Sequence, residues 1–303
     1  MSQSPTHDHD QLTRFLLPEA GVRGVRVHLD EAWQQVRARA VSGDGQPEAV
    51  TELLGEATAA AALFTGHAKV DGRLSVQLRG DGALRALFAE CTAAGTVRGI
   101  AQVDSSAPLP RDLRALGDGA VLAITIENPG PGGREPVRYQ GLVPLEADSL
   151  AGAFEDYFRQ SEQLPTRLLL AANGEAAAGM MLQKLPGDGG DEDGWNRATA
   201  LFDTLTPGEL LTLPAPTLLR RLFHEEGVEL LGDRPLRFGC SCSRARVSAM
   251  LQSLGAEEAR AAAAEGQAKV RCEFCGEQYL YSPDEIEGLF EAQPTAEGSD
   301  RLQ

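Results

Sequence analysis

The 303-residue sequence is poor in positive charge, with 28 Lys and Arg against 44 Asp and Glu and a formal net charge of −16. That balance argues against a broad electrostatic grip on nucleic acid or on an anionic membrane surface, and leaves room only for a local basic patch. No run approaches the roughly 18 apolar residues of a membrane span. The first ten residues, MSQSPTHDHD, have neither the basic start nor the apolar stretch of a secretory signal. The expectation is a cytoplasmic chain without a membrane partner. No GxGxxG lies between a strand and a helix and there is no Walker-type phosphate loop, so Gly80-Asp81-Gly82 and Gly117-Asp118-Gly119 read as turns. Cysteine is scarce and odd in number, five in all. In a reducing compartment this argues against a static disulfide scaffold, leaving metal binding, redox chemistry or burial.

What is present suffices for a folded protein. Hydrophobic residues make up 42% and charged residues 24%, near the globular average. The length is about twice that of an average domain, which predicts two folded units or a domain with an appendage.

Residues 1–20 read as a disordered tail, in which His7 and His9 are solvated rather than metal-binding. From Gly21 the pattern is strand-like, with Val25, Val27 and Leu29 on one side and Arg26 and an outward-facing His28 on the other. Pro47 to Phe64 predicts a helix, from Val50, Leu53, Leu54, Ala57, Ala61 and Phe64 at helical spacing, with alanines that permit close packing. Asp71-Gly72 gives a hairpin signal before the alternating Leu74, Val76 and Leu78. Further strands are expected at Leu84–Cys91, Thr96–Val103, Ala120–Glu127 and Arg167–Ala172, with Cys91 buried at a strand end. Asp148 reads as the cap of a helix from Ser149 to Arg159, and Glu155 and Asp156 as its solvated face. This order predicts an α+β protein whose N-terminal mixed domain, 21–186, packs helices on antiparallel sheet.

The acidic, glycine-rich PGDGGDEDG from Pro186 marks a boundary. Beyond it lies a helical linker, 194–235. Trp195, Phe202 and Leu205 mark one face, Thr206-Pro207-Gly208-Glu209 forms a capping box ahead of Leu210 and Leu211, and a third helix carries Leu218, Leu219, Leu222 and Phe223. Pro207, Pro214 and Pro216 keep each helix too short to be stable alone, so all three must lean on another part of the chain. His224 has no partner at ligand spacing.

The most specific signal is Cys240-Ser241-Cys242 followed, after 29 residues, by Cys272-Glu273-Phe274-Cys275. Two close pairs of thiolates are what tetrahedral zinc requires, with sulfurs about 2.3 Å from one ion. Gly276 after the second pair resembles a zinc knuckle. Helices are expected through Val247, Met250, Leu251 and Leu254 and over Ala256–Glu265, a hairpin over Val270–Tyr281, and a last helix capped by Ser282-Pro283-Asp284-Glu285 ahead of Ile286, Leu289 and Phe290. A unit of about 55 residues with so few large apolar side chains commonly needs a metal, and structural zinc supplies roughly 10–16 kcal/mol of apparent folding free energy. One reading is a permanent structural zinc site. A second is a switch, in which each close pair oxidises to its own disulfide and drops the metal. A catalytic zinc is disfavoured because four cysteines leave no position for water.

Several segments carry a resemblance. CSCSRARV with CEFCGEQY, WNRATALFDTLTPGELL, LLRRLFHEEGV, VQLRGDGAL and YQGLVPLEADSLAGAFEDYFRQSEQLPTR resemble the thirty-three-kilodalton heat-shock protein family of redox-regulated holdase chaperones, from about Gly21 to Tyr281. The resemblance implies an ATP-independent chaperone that is not an enzyme. It implies inactivity in the reduced state, with one zinc ion per chain on Cys240, Cys242, Cys272 and Cys275. It also implies that oxidation joins Cys240 to Cys242 and Cys272 to Cys275, releases zinc and unfolds the linker. Unfolding proteins would then bind through Trp195, Phe202, Leu205, Leu210, Leu211, Leu218, Leu219, Leu222 and Phe223, with dimerisation on oxidation and hand-over of clients to ATP-driven chaperones.

The resulting division is a tail at 1–20, the core domain at 21–186, a metastable linker at 194–235, a zinc-binding redox-switch domain at 236–292 and a second tail at 293–303. The PGPGG at 129–133 lengthens a hairpin turn, and the PAP at 214–216 weakens the linker helices relative to the family pattern. The alternative is a zinc-ribbon module for nucleic acid or a partner protein. From Cys240 to Cys275 there are five Arg or Lys and four Glu, and with four zinc-bound thiolates the formal charge is about −1, a poor phosphate grip. A thiol-disulfide oxidoreductase is a third reading, distinguished by catalytic turnover.

Overall fold

The computed structural model describes residues 9–40, 47–104, 110–117, 119–187 and 191–290. His7, Asp118 and the tail expected at 293–303 lie outside them. The chain divides into two compact units, the first ending at Cys240 and the second starting at Ser241.

In chain order the first unit contains β1 (Gln11–Leu17), β2 (Val22–Leu29), α1 (Glu31–Ala40), α2 (Glu48–His67), β3 (Arg73–Arg79), β4 (Leu84–Thr92), β5 (Thr96–Val103), β6 (Val121–Asn128), β7 (Val137–Val143) and α3 (Leu150–Tyr157). It continues with β8 (Thr166–Ala172), β9 (Ala177–Lys184), α4 (Gly194–Phe202), α5 (Pro207–Thr212), α6 (Ala215–Phe223), β10 (Glu229–Pro235) and β11 (Arg237–Phe238). These strands form two sheets, of order β10-β1-β2-β9-β8 and β11-β5-β4-β3-β6-β7. Every pairing is antiparallel except β11 on β5.

Helix α2 lies in the core common to both sheets, packed with Val25, Val27 and Met181 of one and Val76, Leu87 and Ile124 of the other. That position explains its composition. Ala59 to Leu63 are all 0% exposed, and a helix covered on so many sides needs small side chains to let both sheets approach.

The first sheet is apolar on both faces. Along β9 the odd positions Ala177 and Met181 belong to the α2 core, while Ala178, Met180 and Leu182 belong to a second core with Phe15, Leu17 and Val22. Alternation of side chains along a strand makes the two cores mutually exclusive. Helices α4, α5 and α6 cover the second face.

Several expectations need correction. Gln11–Leu17, within the tail expected at 1–20, is a strand whose Leu12, Phe15 and Leu17 are fully buried; Thr13 and Arg14 interrupt its apolar run. Arg26, on the side of β2 opposite Val25 and Val27, is 1% exposed, and the carbonyl of Leu213 accepts from its guanidinium at 2.6 Å. His28, expected to face outward, is half-buried with Nε2 2.9 Å from the Leu211 carbonyl. The linker expected to be helical to 235 ends in β10, which pairs with β1 through a bulge near Gly232. The compact units part after Cys240, so residues 194–240 fall in the first unit.

Asp71-Gly72 leads from α2 into β3 rather than closing a hairpin, held by Asn128 Oδ1 accepting from both backbone N–H groups. Ser149, not Asp148, caps α3, which gives way to a π-helical turn at Phe158–Glu162. Glu155 is half-buried and accepts from the Leu168 N–H at 2.6 Å and from Arg167 at 3.2 Å, so it is not a solvated face.

The second unit holds α7 (Arg244–Leu254), α8 (Ala256–Ala263), β12 (Ala268–Arg271), β13 (Gln278–Tyr281) and α9 (Pro283–Phe290). Its core is Val247, Leu251, Ala259, Ala263, Ala268, Tyr281 and Ile286. Of the apolar face expected on α7, Met250 and Leu254 remain exposed. Ser243 caps α7, and Ser282 with Glu285 forms a reciprocal capping pair at α9. The Tyr281 hydroxyl donates to the Arg244 carbonyl at 2.9 Å while the Arg244 guanidinium lies 4.2 Å over its ring.

Two substitutions test this packing. An added Cβ at Gly24, opposite Phe15 across β1 and β2, would lie 2.0 Å from the Phe15 ring, and that ring packs 6.1 Å from Phe223 of α6. Gly24→Ala should therefore cost about 1–3 kcal/mol in urea unfolding, with Phe15→Leu added to it recovering part of the loss; an unchanged midpoint would contradict the packing. Tyr281→Phe removes the side-chain donor to the Arg244 carbonyl and the partner of Ser248 Oγ and should cost about 0.5–1.5 kcal/mol, read as faster amide exchange in β12, whereas unchanged exchange would show that the bond carries no weight.

Candidate metal centre

The first cysteine pair precedes α7. Arg246, in the first turn of that helix, donates from Nη1 to the Ser241 carbonyl at 2.8 Å, fixing the backbone between the two cysteines. The second pair sits in the tight connection from β12 to β13. The Cys272 N–H donates to the Glu277 carbonyl and the Gly276 N–H to the Cys272 carbonyl, both at 2.8 Å. Gly276 has φ of +72°, a left-handed conformation that glycine adopts without strain. The knuckle expected from its place after Cys275 is thus formed.

These loops bring Cys240, Cys242, Cys272 and Cys275 together, with all four sulfurs within 4.8 Å of one another and each residue half-buried. None is in a disulfide. Cys242 Sγ lies 3.3 Å from Cys275 Sγ, and the Tyr279 hydroxyl donates to Cys242 Sγ at 3.2 Å. That hydrogen bond holds the Tyr279 phenol above the usual tyrosine range, with burial adding to the effect. Tyr279 was not evident as part of the site, because only the hairpin register places it beside a cysteine 37 residues earlier.

The donor set fits zinc. Sulfurs around one tetrahedral ion at about 2.3 Å stand about 3.8 Å apart, within the observed cluster. Four deprotonated thiols at such spacing repel one another, and a divalent cation offsets that repulsion. Four sulfurs fill a tetrahedral shell, so an ion held there has no position for a reacting water.

Cys91 stands apart. It is 0% exposed in the α2 core, and burial pushes its thiol up to about 11. It is a neutral apolar group rather than a nucleophile.

The linker residues singled out from the sequence are brought together as well. Phe202, Leu205, Leu210, Leu218, Leu219, Leu222 and Phe223 are buried in the core on the second face of the first sheet, with Trp195 and Leu211 half-buried against it. The capping box is formed, Thr206 Oγ1 accepting the Glu209 N–H and Glu209 accepting the Thr206 N–H. Arg197 of α4 ties to the buried Glu226 beyond α6 through two bonds, at 2.9 and 3.0 Å. His224 is exposed.

Comparison with known proteins agrees with this arrangement. The sequence model of the Hsp33 protein family matches residues 10–282. The 33 kDa chaperonin of Ectopseudomonas mendocina is 43% identical over 290 residues, covering 93% of this chain and 95% of the relative. That of Chromobacterium violaceum is 42% identical over 285 residues, covering 93% and 94%. The crystal structure of the 33 kDa chaperonin (heat shock protein 33 homolog) from Thermotoga maritima shares the fold, with a TM-score of 0.74 and 23% identity over 93% of this chain and 97% of that one. With the family match over residues 10–282 and relatives 43% and 42% identical across most of its length, the chain belongs to the Hsp33 family of chaperones.

Proposed function

We propose that this protein is a redox-regulated, ATP-independent holdase, inactive when reduced and zinc-bound. One observation carries the reading: a cluster of four cysteines, none of them in a disulfide, lies further along the chain from a set of short helices whose apolar side chains are hidden against a sheet. The cysteines can change redox state, and the helices hide a surface suited to unfolded clients.

Zinc on Cys240, Cys242, Cys272 and Cys275 supports the small core of the second unit when bound. Peroxide, accepting two electrons for each disulfide formed, joins Cys240 to Cys242 and Cys272 to Cys275 and is itself reduced to water. A sulfur in a disulfide is a poor ligand, and the ion leaves.

Strand β11 ends at Phe238 and Cys240 follows two residues later, so disorder at the cysteines reaches β11 and β10 through a very short stretch of chain. Helices of nine, six and nine residues have little stability of their own once their anchorage loosens. Their departure bares Trp195, Phe202, Leu205, Leu210, Leu211, Leu218, Leu219, Leu222 and Phe223 together with the sheet residues beneath. The exposed apolar surface then binds unfolding proteins.

The function is binding, in stoichiometric amounts, rather than catalysis. In this reading the protein works in the cytoplasm, dimerises once oxidised and passes clients to ATP-driven chaperones. The net charge of −16 keeps such an apolar surface soluble and weighs against a nucleic-acid partner.

Peroxide at mildly raised temperature should release about one zinc per chain and convert the protein into a suppressor of aggregation of a chemically denatured client. Complete zinc loss with no gain in suppression would contradict the proposal.

A further inference from the structure

The outer face of the second sheet carries an alternating row of charges across four strands. Glu127 of β6 accepts from Arg73 of β3 at 2.5 Å, and Arg73 Nε lies 3.8 Å from Glu90 Oε2 on β4. Glu90 Oε1 accepts from Arg98 Nε on β5 at 2.9 Å. The row ends at a sulfur, with Arg98 Nη1 3.9 Å from Cys240 Sγ.

Two features distinguish this row from an ordinary surface network. The Glu90 and Arg98 side chains are only 5% and 12% exposed. Taking both out of water is costly, and an apolar pair on the same strands would be cheaper. The orientation is also fixed: the Glu90 carboxylate holds one edge of the guanidinium while the other meets the cysteine, and the Phe88 ring lies 5.9 Å from the guanidinium carbon.

The backbone makes the meeting possible. Strand β11 runs parallel to β5, pairing Phe238 with Val97, and the Gly239 N–H donates to the Val97 carbonyl at 3.1 Å. Cys240 is thereby delivered beside Arg98, 142 residues away in sequence.

We infer that Arg98, held in place by Glu90, is a positioning residue for the metal centre, donating to Cys240 Sγ and holding that sulfur oriented as a ligand. The inference rests on the metal reading above and adds to it a contact within the first unit, between Arg98 and Cys240. Charge-assisted donors to a ligand raise the share of ligand-competent geometry, and losing such an outer contact typically weakens metal binding by about 10–100-fold.

The test uses the full-length reduced protein without oxidant, loaded with zinc and, separately, with cobalt(II). Arg98→Met should surrender zinc to a chelator at a concentration about tenfold or more below that needed for the unsubstituted chain. In the cobalt form its sulfur-to-metal absorption band should move, because the Cys240 sulfur has lost its donor. Glu90→Gln should weaken retention less. Arg114→Met, which removes an exposed Arg paired with Asp112, should change neither reading.

Should methionine at 98 unfold the sheet, Arg98→Lys gives the same comparison with a positive charge kept beside Glu90. Lysine cannot span both partners, so it too should move the cobalt band and loosen zinc. Unaltered zinc retention and an unaltered band in a folded variant would overturn this inference alone. An unsubstituted chain that takes up neither metal would overturn the metal reading with it.

Discussion

A β-sheet with apolar side chains on both faces must be covered twice, and the arrangement of the first unit follows from that constraint. Ala177 and Met181 point one way along β9, while Ala178, Met180 and Leu182 point the other. Leaving either face in water would forfeit roughly 1.5–3 kcal/mol for each large side chain exposed. The two covers differ in kind. One is α2, a 20-residue helix at the centre of the unit and shared with the second sheet. The other is a set of three short helices built from the chain that leads toward the cysteines.

That difference gives the second cover its character. Helix α2 cannot leave without dismantling the core that both sheets share. The α4–α6 segment touches one sheet face and depends on it, since its helices are individually too short to persist in water. Its polar anchors to the sheet are specific, among them Arg26 on the Leu213 carbonyl, His28 on the Leu211 carbonyl and Arg167 of β8 on Asp203. Under the proposed function the α2 cover is fixed and the α4–α6 cover is conditional, the condition lying downstream, where the second unit encloses only a modest core and the four sulfurs converge.

Local chemistry was legible in the sequence and long-range chemistry was not. The helical spacing of Leu53, Leu54, Ala57 and Phe64, the strands around Val76, Leu87 and Ile124, the Thr206–Glu209 capping box and the close cysteine pairs are all encoded within a few residues. Strand β1 was hidden because Thr13 and Arg14 break its apolar run, and because its partners β2 and β10 lie on opposite sides of it in the sheet. The burial of Arg26 followed from a carbonyl 187 residues away. Alternation alone marks a polar residue as outward, and only the arrival of α5 and its exit loop turns that position inward. The place of Arg98 beside Cys240 depends in the same way on the parallel pairing of β11 with β5, for which two residues of strand give no sequence signal.

The most direct test of the account is amide hydrogen exchange on the full-length chain, comparing the reduced zinc-loaded form with the fully oxidised form. The account predicts that amides of α4, α5 and α6 lose protection on oxidation while those of α2 keep theirs, because only the conditional cover departs. Protection of α4–α6 that survives the formation of both disulfides and the loss of the metal would contradict it.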